Sequence, residues 1–331
     1  MAKFSTFIYH SGILYGATMA LDSISPNRGP STGGTLFIAE GASFSFPTFD
    51  DDFIDASLDT SKWTDISTSS GTAVTGASHL VLDTGSTATS VAGLIMDYAA
   101  RDTQFETRVN IPPVLANPTA AVNLFTIAKY VDATNYATMS VNLSSIGEVT
   151  LDITLFVNNT VKEVFPLAWT TGISTFKILQ WGTSLYFYAN GILILETKQF
   201  VNSVGAYQFY CSNQTAAYTI SNVVVEYVLN RPFAAFDAQV VHDLVLVSES
   251  RVRGLTPPSM NFKDVIAAYS GLVDVSIVSS SVVTGTDFFE YYFEDRLTVE
   301  DNTQFDMKIS DITELTVRTP YLAKRGLGSG K

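Results

Sequence analysis

Alternation, more than any single motif, limits what this chain can fold into. Segments such as TLFIAEGA, TQFETRVNI, ATMSVNL, EVTLDITLFVN and SLYFYANGILILET switch between apolar and polar residues with a period of two and are rich in Val, Ile, Thr, Tyr and Phe. A period of two sends successive side chains to opposite faces of a strand, and β-branched and aromatic residues suit that pleated surface. Gly, Asn, Asp, Ser and Pro separate the segments at the spacing of antiparallel sandwiches. The fold class expected is therefore all-β. Only Asn261 to Tyr269 (NFKDVIAAY) carries helical spacing, which leaves a short helix and a loop equally open.

Two turns fix hairpins. Asn159 in VNNT tolerates positive φ, and Asn190-Gly191 is the dipeptide that a type I′ turn selects, because both its central residues need left-handed backbone. Before the second turn, Leu185, Phe187 and Ala189 face one way and Tyr186 and Tyr188 the other; the pattern alone leaves open which side meets a core.

With 331 residues, 46% of them hydrophobic and 15% charged, the chain can bury more than one core. Its net charge of -13 disfavours nucleic acid and anionic membrane as partners. Cys211 is the only cysteine, which excludes an internal disulfide. No apolar run reaches the length of a spanning helix, so no membrane insertion is expected. The start, MAKFSTFIYHSGILYG, lacks the unbroken apolar stretch of an export signal.

The stretch Ser23 to Phe44 resembles the opening of IPT/TIG immunoglobulin-like domains, on Ile24, Ser25, Pro26, Gly29, Pro30, Gly33, Gly34, Thr35 and Phe44. Gly33-Gly34 supply a turn that a residue with a Cβ would enter only at a cost, and Thr35 restarts a strand. The family's ending is matched only far downstream, by Thr256, Pro257, Pro258, Gly271, Val273, Asp274 and Val275. The resemblance therefore implies a split domain. Between its halves, DDFIDASLDTSKWT and ISTFKILQWGTSLYFYANGILILET are similar to concanavalin A-like lectin/glucanase (laminin-G-like) jelly rolls, with Phe176, Trp181, Tyr186, Phe187 and Gly191 in the family's rhythm. The organisation expected is an N-terminal β segment (1–21), an Ig-like sandwich (22–46 plus 229–281), an inserted jelly-roll sandwich (47–228), and a small terminal β module with a flexible tail (282–331).

Jelly rolls of this kind include glycoside hydrolases, whose retaining members hold two carboxylates about 5 Å apart. The E-x-D-x-x-E or E-x-D-x-E strand array of that branch is missing around Glu106, Glu148 and Asp152, and Glu294, Asp295, Glu300 and Asp301 fall in the tail. The chain is read as non-enzymatic, with no catalytic residues. No cofactor is expected, calcium apart: Asp50, Asp51, Asp52 and Asp55 could offer it oxygen ligands, although the run also reads as an exposed connector. His10, His79 and His242 stand alone, and Cys211 reads as a small buried hydrophobe. GLGSGK at the end lacks the spacing of a phosphate loop. For glycan binding the candidates are Tyr130, Asn135, Tyr136, Trp181, Tyr186 and Tyr188, set against the ordinary role of aromatics in packing a core.

These modules usually belong to exported proteins, and a bacteriophage virion component, assembled in the host cytoplasm, reconciles them with the expected absence of an export signal. It would sit on the tail, a fibre or the capsid exterior and contact copies of itself, other virion proteins and a host-surface polysaccharide. The alternative is a bacterial cell-surface or secreted glycan-binding protein.

Overall fold

The computed structural model describes residues 4–10, 13–30, 33–42, 44, 50–76, 78–114, 116–213, 218–237, 239–241, 244–248, 250–257, 272–278, 282–292, 297–299, 303–311 and 314–318. Asn261 to Tyr269, Glu294, Asp295, Glu300, Asp301, His242 and GLGSGK lie outside them. The chain divides into two compact units, one made of residues 1–45 and 233–331 and the other of residues 46–232.

The first unit opens with β1 (Phe4–His10), β2 (Ile13–Ser25), β3 (Arg28–Pro30) and β4 (Leu36–Ala42). The second supplies β5 (Trp63–Asp65), β6 (Thr72–Gly76), β7 (His79–Asp83), β8 (Val91–Ala100), β9 (Thr103–Ile111), β10 (Val122–Asp132), β11 (Asn135–Leu143) and β12 (Val149–Val157). It continues through β13 (Thr160–Ala168), β14 (Gly172–Trp181), β15 (Ser184–Ala189), β16 (Ile192–Thr197), β17 (Gly205–Ser212) and β18 (Val223–Leu229). The chain then returns to the first unit with β19 (Phe233–Phe236), β20 (Gln239–Val241), β21 (Val245–Ser248), β22 (Arg251–Leu255), β23 (Leu272–Val278), β24 (Val282–Tyr292), β25 (Leu297–Val299), β26 (Thr303–Asp311) and β27 (Glu314–Arg318). The described residues are all-β, and none of them forms a helix long and apolar enough to cross a membrane.

In the first unit β4 pairs antiparallel with β22 across more than two hundred residues of sequence, Leu36 opposite Leu255 and Glu40 opposite Arg251. Gly33 and Gly34 hold φ near 76° and 79°, conformations open to residues without a Cβ. They bring Thr35 to Thr256: Gly34 N–H donates to Thr256 O (2.8 Å), Thr256 N–H to Thr35 O (2.8 Å), and Thr35 N–H to Thr256 Oγ1 (3.0 Å). Among the described residues one sheet runs β1-β2-β4-β22-β21 and another β20-β19-β23-β24-β3. Phe37 of β4 meets Phe236 of β19 edge to face at 5.2 Å, and Phe236 meets Phe289 of β24 at 5.2 Å, so aromatic rings fill the space between these sheets. β23 and β24, on either side of position 281, pair antiparallel, and β2 spans position 21.

The second unit is a sandwich of two seven-stranded sheets among the described residues, β13-β12-β11-β10-β17-β8-β5 and β16-β15-β14-β9-β18-β7-β6. Alternation builds its core. Phe125, Ile127, Met139, Ile153, Phe209 and Cys211 point inward from the first sheet and Phe105, Phe176, Ile178, Leu185 and Phe187 from the second. Leu185, Phe187 and Ala189 thus take the core side, which leaves Tyr186 and Tyr188 on the outer face. The turns are as their residues demand: Asn158 and Asn159 have φ of 52° and 58°, and Asn190 and Gly191 of 52° and 78°.

Candidate functional site

The outer face of the sheet containing β10, β11, β12 and β17 is where polar and aromatic side chains converge. Register aligns them in cross-strand rows. One row reads Ser212, Asn123, Asn142, Thr150 and Ala168; the next reads Tyr210, Thr126, Ser140, Asp152 and Pro166. A third reads Gln208, Ala128, Thr138, Thr154 and Val164, and a fourth Ala206, Tyr130, Tyr136, Phe156 and Val161. The rows extend about 20 Å along the strands. In the middle, Thr126 and Ala128 are fully buried (0%) and Ser140 is 8% exposed, while Tyr210, Gln208, Asn142, Asp152 and Tyr136 around them are half-buried. Small side chains lie covered between taller ones along this stripe, the trough.

Its polar groups bind one another. Thr126 Oγ1 donates to Asn123 Oδ1 (2.9 Å) and lies 2.8 Å from Ser140 Oγ; Asn123 Nδ2 donates to Asn142 Oδ1 (3.1 Å), and Asn142 Nδ2 to Asp152 Oδ2 (2.8 Å). This chain ends on a carboxylate whose Oδ1 is buried without a partner. Burial pushes the Tyr210 phenol up, against its hydrogen bond with Thr126. At one end Tyr136 stacks on Phe156, with ring centroids 4.8 Å apart and planes 25° from parallel.

The six glycan candidates do not form one group. Tyr130 and Tyr136 are cross-strand partners in the trough's aromatic row. Asn135 is committed to local structure: its Nδ2 donates to Asp132, and its Oδ1 accepts from Asn158 N–H at 3.1 Å. Trp181, Tyr186 and Tyr188 belong to the opposite sheet, and Tyr186 and Tyr188 are 6% and 8% exposed. The candidates are thus divided between the two sheets.

That opposite outer face is laid with charge pairs. Lys177 Nζ lies 2.9 Å from Glu106 and 5.8 Å from the Tyr188 ring centre, Tyr227 donates to Glu106 at 3.4 Å, and Arg108 pairs with Glu226 at 2.8 Å. Burial, then the charge of Glu196, pushes the Tyr186 phenol up to about 12.

The aspartates proposed for calcium also separate. Asp51 Oδ1 accepts from Phe53 N–H (2.9 Å) and Oδ2 from Trp63 Nε1 (2.6 Å), so both oxygens anchor the packing of Phe53 and Trp63 against Phe209. Asp50, Asp52 and Asp55 are exposed, and among the described residues no group of three or more His, Cys, Asp or Glu gathers in a way that could hold a metal. Cys211 is fully buried 3.7 Å from Ala92 O, and burial pushes its thiol up to about 12.

Sequence reasoning named Asp152 only as a carboxylate without an array, and passed over Asn123, Thr126, Ser140, Asn142 and Tyr210. The outward positions of NYATMSVNL and VTLDITLFV did signal a polar face. Which of them stand side by side is set by register, which two separate strands do not announce.

No protein-family model and no curated protein sequence matches the chain. Similar solved structures include a Bacillus licheniformis beta-glucanase (11% identity, 56% of this chain and 97% of that one, TM-score 0.43). Another is described as an immunostimulatory antigen and pseudo beta-1,3-glucanase of Mycobacterium tuberculosis (14% identity, 55% and 97%, TM-score 0.43). A third is a glycosyl hydrolase family protein of Mycobacterium fortuitum (13% identity, 56% and 99%, TM-score 0.43). These findings correct the expectation of a non-enzymatic chain, since the proteins so matched include hydrolases of glycosidic bonds.

Proposed function

We propose that residues 46–232 form a carbohydrate-binding jelly roll whose trough holds a glycan. The observation that carries this reading is the juxtaposition of the Asn123–Asn142–Asp152 hydrogen-bond chain with the stacked Tyr136 and Phe156 on one sheet face. A sugar ring presents hydroxyl groups at its edge and C–H groups on its face. Amides, hydroxyls and a carboxylate answer the first, and an aromatic ring the second.

Of the two settings drawn from the sequence, a bacterial cell-surface or secreted glycan-binding protein needs only this trough. A virion component would use the same trough for adhesion to a host polysaccharide and needs a particle as well. A glycan array followed by titration tests the reading. Binding weakened by Tyr136→Ala and retained by Tyr188→Ala supports it, and binding indifferent to Tyr136 overturns the placement. Reducing ends released during the titration would extend the reading from binding to cleavage.

A further inference from the structure

The trough's charge inventory narrows its ligand. Its four rows span five strands and contain no Lys, Arg or His; their single ionisable acid is Asp152. The donors in them are hydroxyls and amides, of which Tyr210, Asn142, Gln208, Thr138 and Thr154 are partly exposed and suited to neutral oxygen atoms. Proteins that hold carboxylate, sulfate or phosphate groups do so with cationic side chains or clustered backbone N–H groups, because an anion taken out of water needs an opposing charge. Here the backbone N–H groups are occupied by the sheet ladder, the bulges beside Asn123 and Tyr130 apart. The cations of the unit's opposite face, Lys177 and Arg108, are held by Glu106 and Glu226 and lie across the sandwich from the trough.

Asp152 adds a repulsive element. Its Oδ2 already accepts from Asn142, and its Oδ1 has no donor, so among the described residues the carboxylate has no neutralising partner. At about 6 to 8 Å an anionic ligand group would meet it with a penalty of about threefold in affinity at the dielectric of water and about thirtyfold or more at that typical of a protein surface. Building repulsion against the wrong ligand is an established route to specificity.

We infer that the trough selects uncharged glycans, and that Asp152 enforces the choice against chains bearing uronate or sulfate groups. This rests on the proposed placement of the glycan, and the experiment keeps the two apart. The full chain is titrated with a neutral β-glucan, a neutral mannan, polygalacturonate and a sulfated galactan at low and high salt. Binding of a neutral polymer at least about tenfold tighter than the acidic ones, with the gap narrowing as salt screens the carboxylate, supports the inference. Asp152→Asn keeps an acceptor for Asn142 and removes the charge, and is expected to narrow the ratio of neutral to acidic affinity about threefold or more, whatever it does to neutral binding itself. Equal binding of neutral and acidic polymers by the native chain overturns the inference and leaves the glycan site standing. A gap that Asp152→Asn leaves unchanged overturns the role of Asp152. Binding of none of the four, by a chain whose melting transition is intact, overturns the glycan reading itself and this inference with it.

Discussion

The two outer faces of the jelly roll come from the same alternation and end as opposites. On the face of β10, β11, β12 and β17, outward residues are uncharged except Asp152 and, at the end of β10, Asp132, and small side chains lie covered between larger ones. On the face of β9, β14, β15 and β18, charges pair across strands, Lys177 with Glu106 and Arg108 with Glu226, and Tyr186 and Tyr188 are buried. One surface ties its polar groups together with neutral hydrogen bonds, the other with charge pairs. The difference teaches that an aromatic residue in an alternating strand is uninformative about binding until its cross-strand neighbours are known.

Exchanging the same residue type on both faces breaks the comparison most directly. Tyr188→Ala removes a buried ring and its contact with Lys177, and is expected to cost about 3 kcal/mol of stability with no change in glycan affinity, read by chemical denaturation and titration. A mild stability loss accompanied by lost binding would reverse the assignment of the faces.

A second, smaller effect comes from beneath the trough. Lys129 points inward from β10, fully buried, and its Nζ donates to Ala100 O (2.6 Å), Gly205 O (2.9 Å) and Thr103 Oγ1 (3.2 Å) while lying 4.5 Å from the centre of the Tyr207 ring. Burial pulls its pKa down to about 7, against the opposing charge of Asp102. The folded value is below the unfolded one, so between pH 7 and about 10 the unfolded chain holds more protons and stability rises with pH, by at most about 1.4 kcal/mol per unit. Cys211, raised to about 12, acts in the other direction above pH 9. Denaturation midpoints should therefore climb from pH 7 to 9 in the native chain and stay flat in Lys129→Met; parallel profiles would mean that Lys129 does not titrate in this range.

Much of this architecture could be read from the residues, and the reasons for the rest are specific. Period-two segments gave strands, and Asn158-Asn159 and Asn190-Gly191 gave turns, because both signals are local. The trough was not legible as a site. Thr126 and Ser140 matter only because register sets them beside Asn123 and Asp152, and that register comes from packing of the inward faces, Ile127 beside Met139 and Met139 beside Ile153. Tyr186 and Tyr188 misled for the same reason: that they share a face was readable, and that this face is outward yet covered was not.

A third expected effect concerns the aromatic row. Tyr136→Ala deletes the stack on Phe156 and should weaken neutral glycan binding about tenfold, near 1.4 kcal/mol, at a stability cost below about 1 kcal/mol because the ring is half-exposed. A loss of binding matched by an equal loss of stability would make Tyr136 a packing residue like Tyr188.

The smallest effect tests what the faces are made of. Lys177 and Glu106 are cross-strand partners with side chains 15% and 22% exposed, so their attraction is screened only in part. A double-mutant cycle with Lys177→Met and Glu106→Gln should return a coupling of about 0.5 to 1 kcal/mol that shrinks as salt is added. The corresponding cycle across Asn123 and Asn142, joined by a neutral amide bond, should return a coupling of about 1 kcal/mol that salt leaves alone. Equal salt responses would erase the distinction between a face closed by charges and a face lined by neutral donors. With it would go the physical basis for assigning an uncharged ligand to the trough.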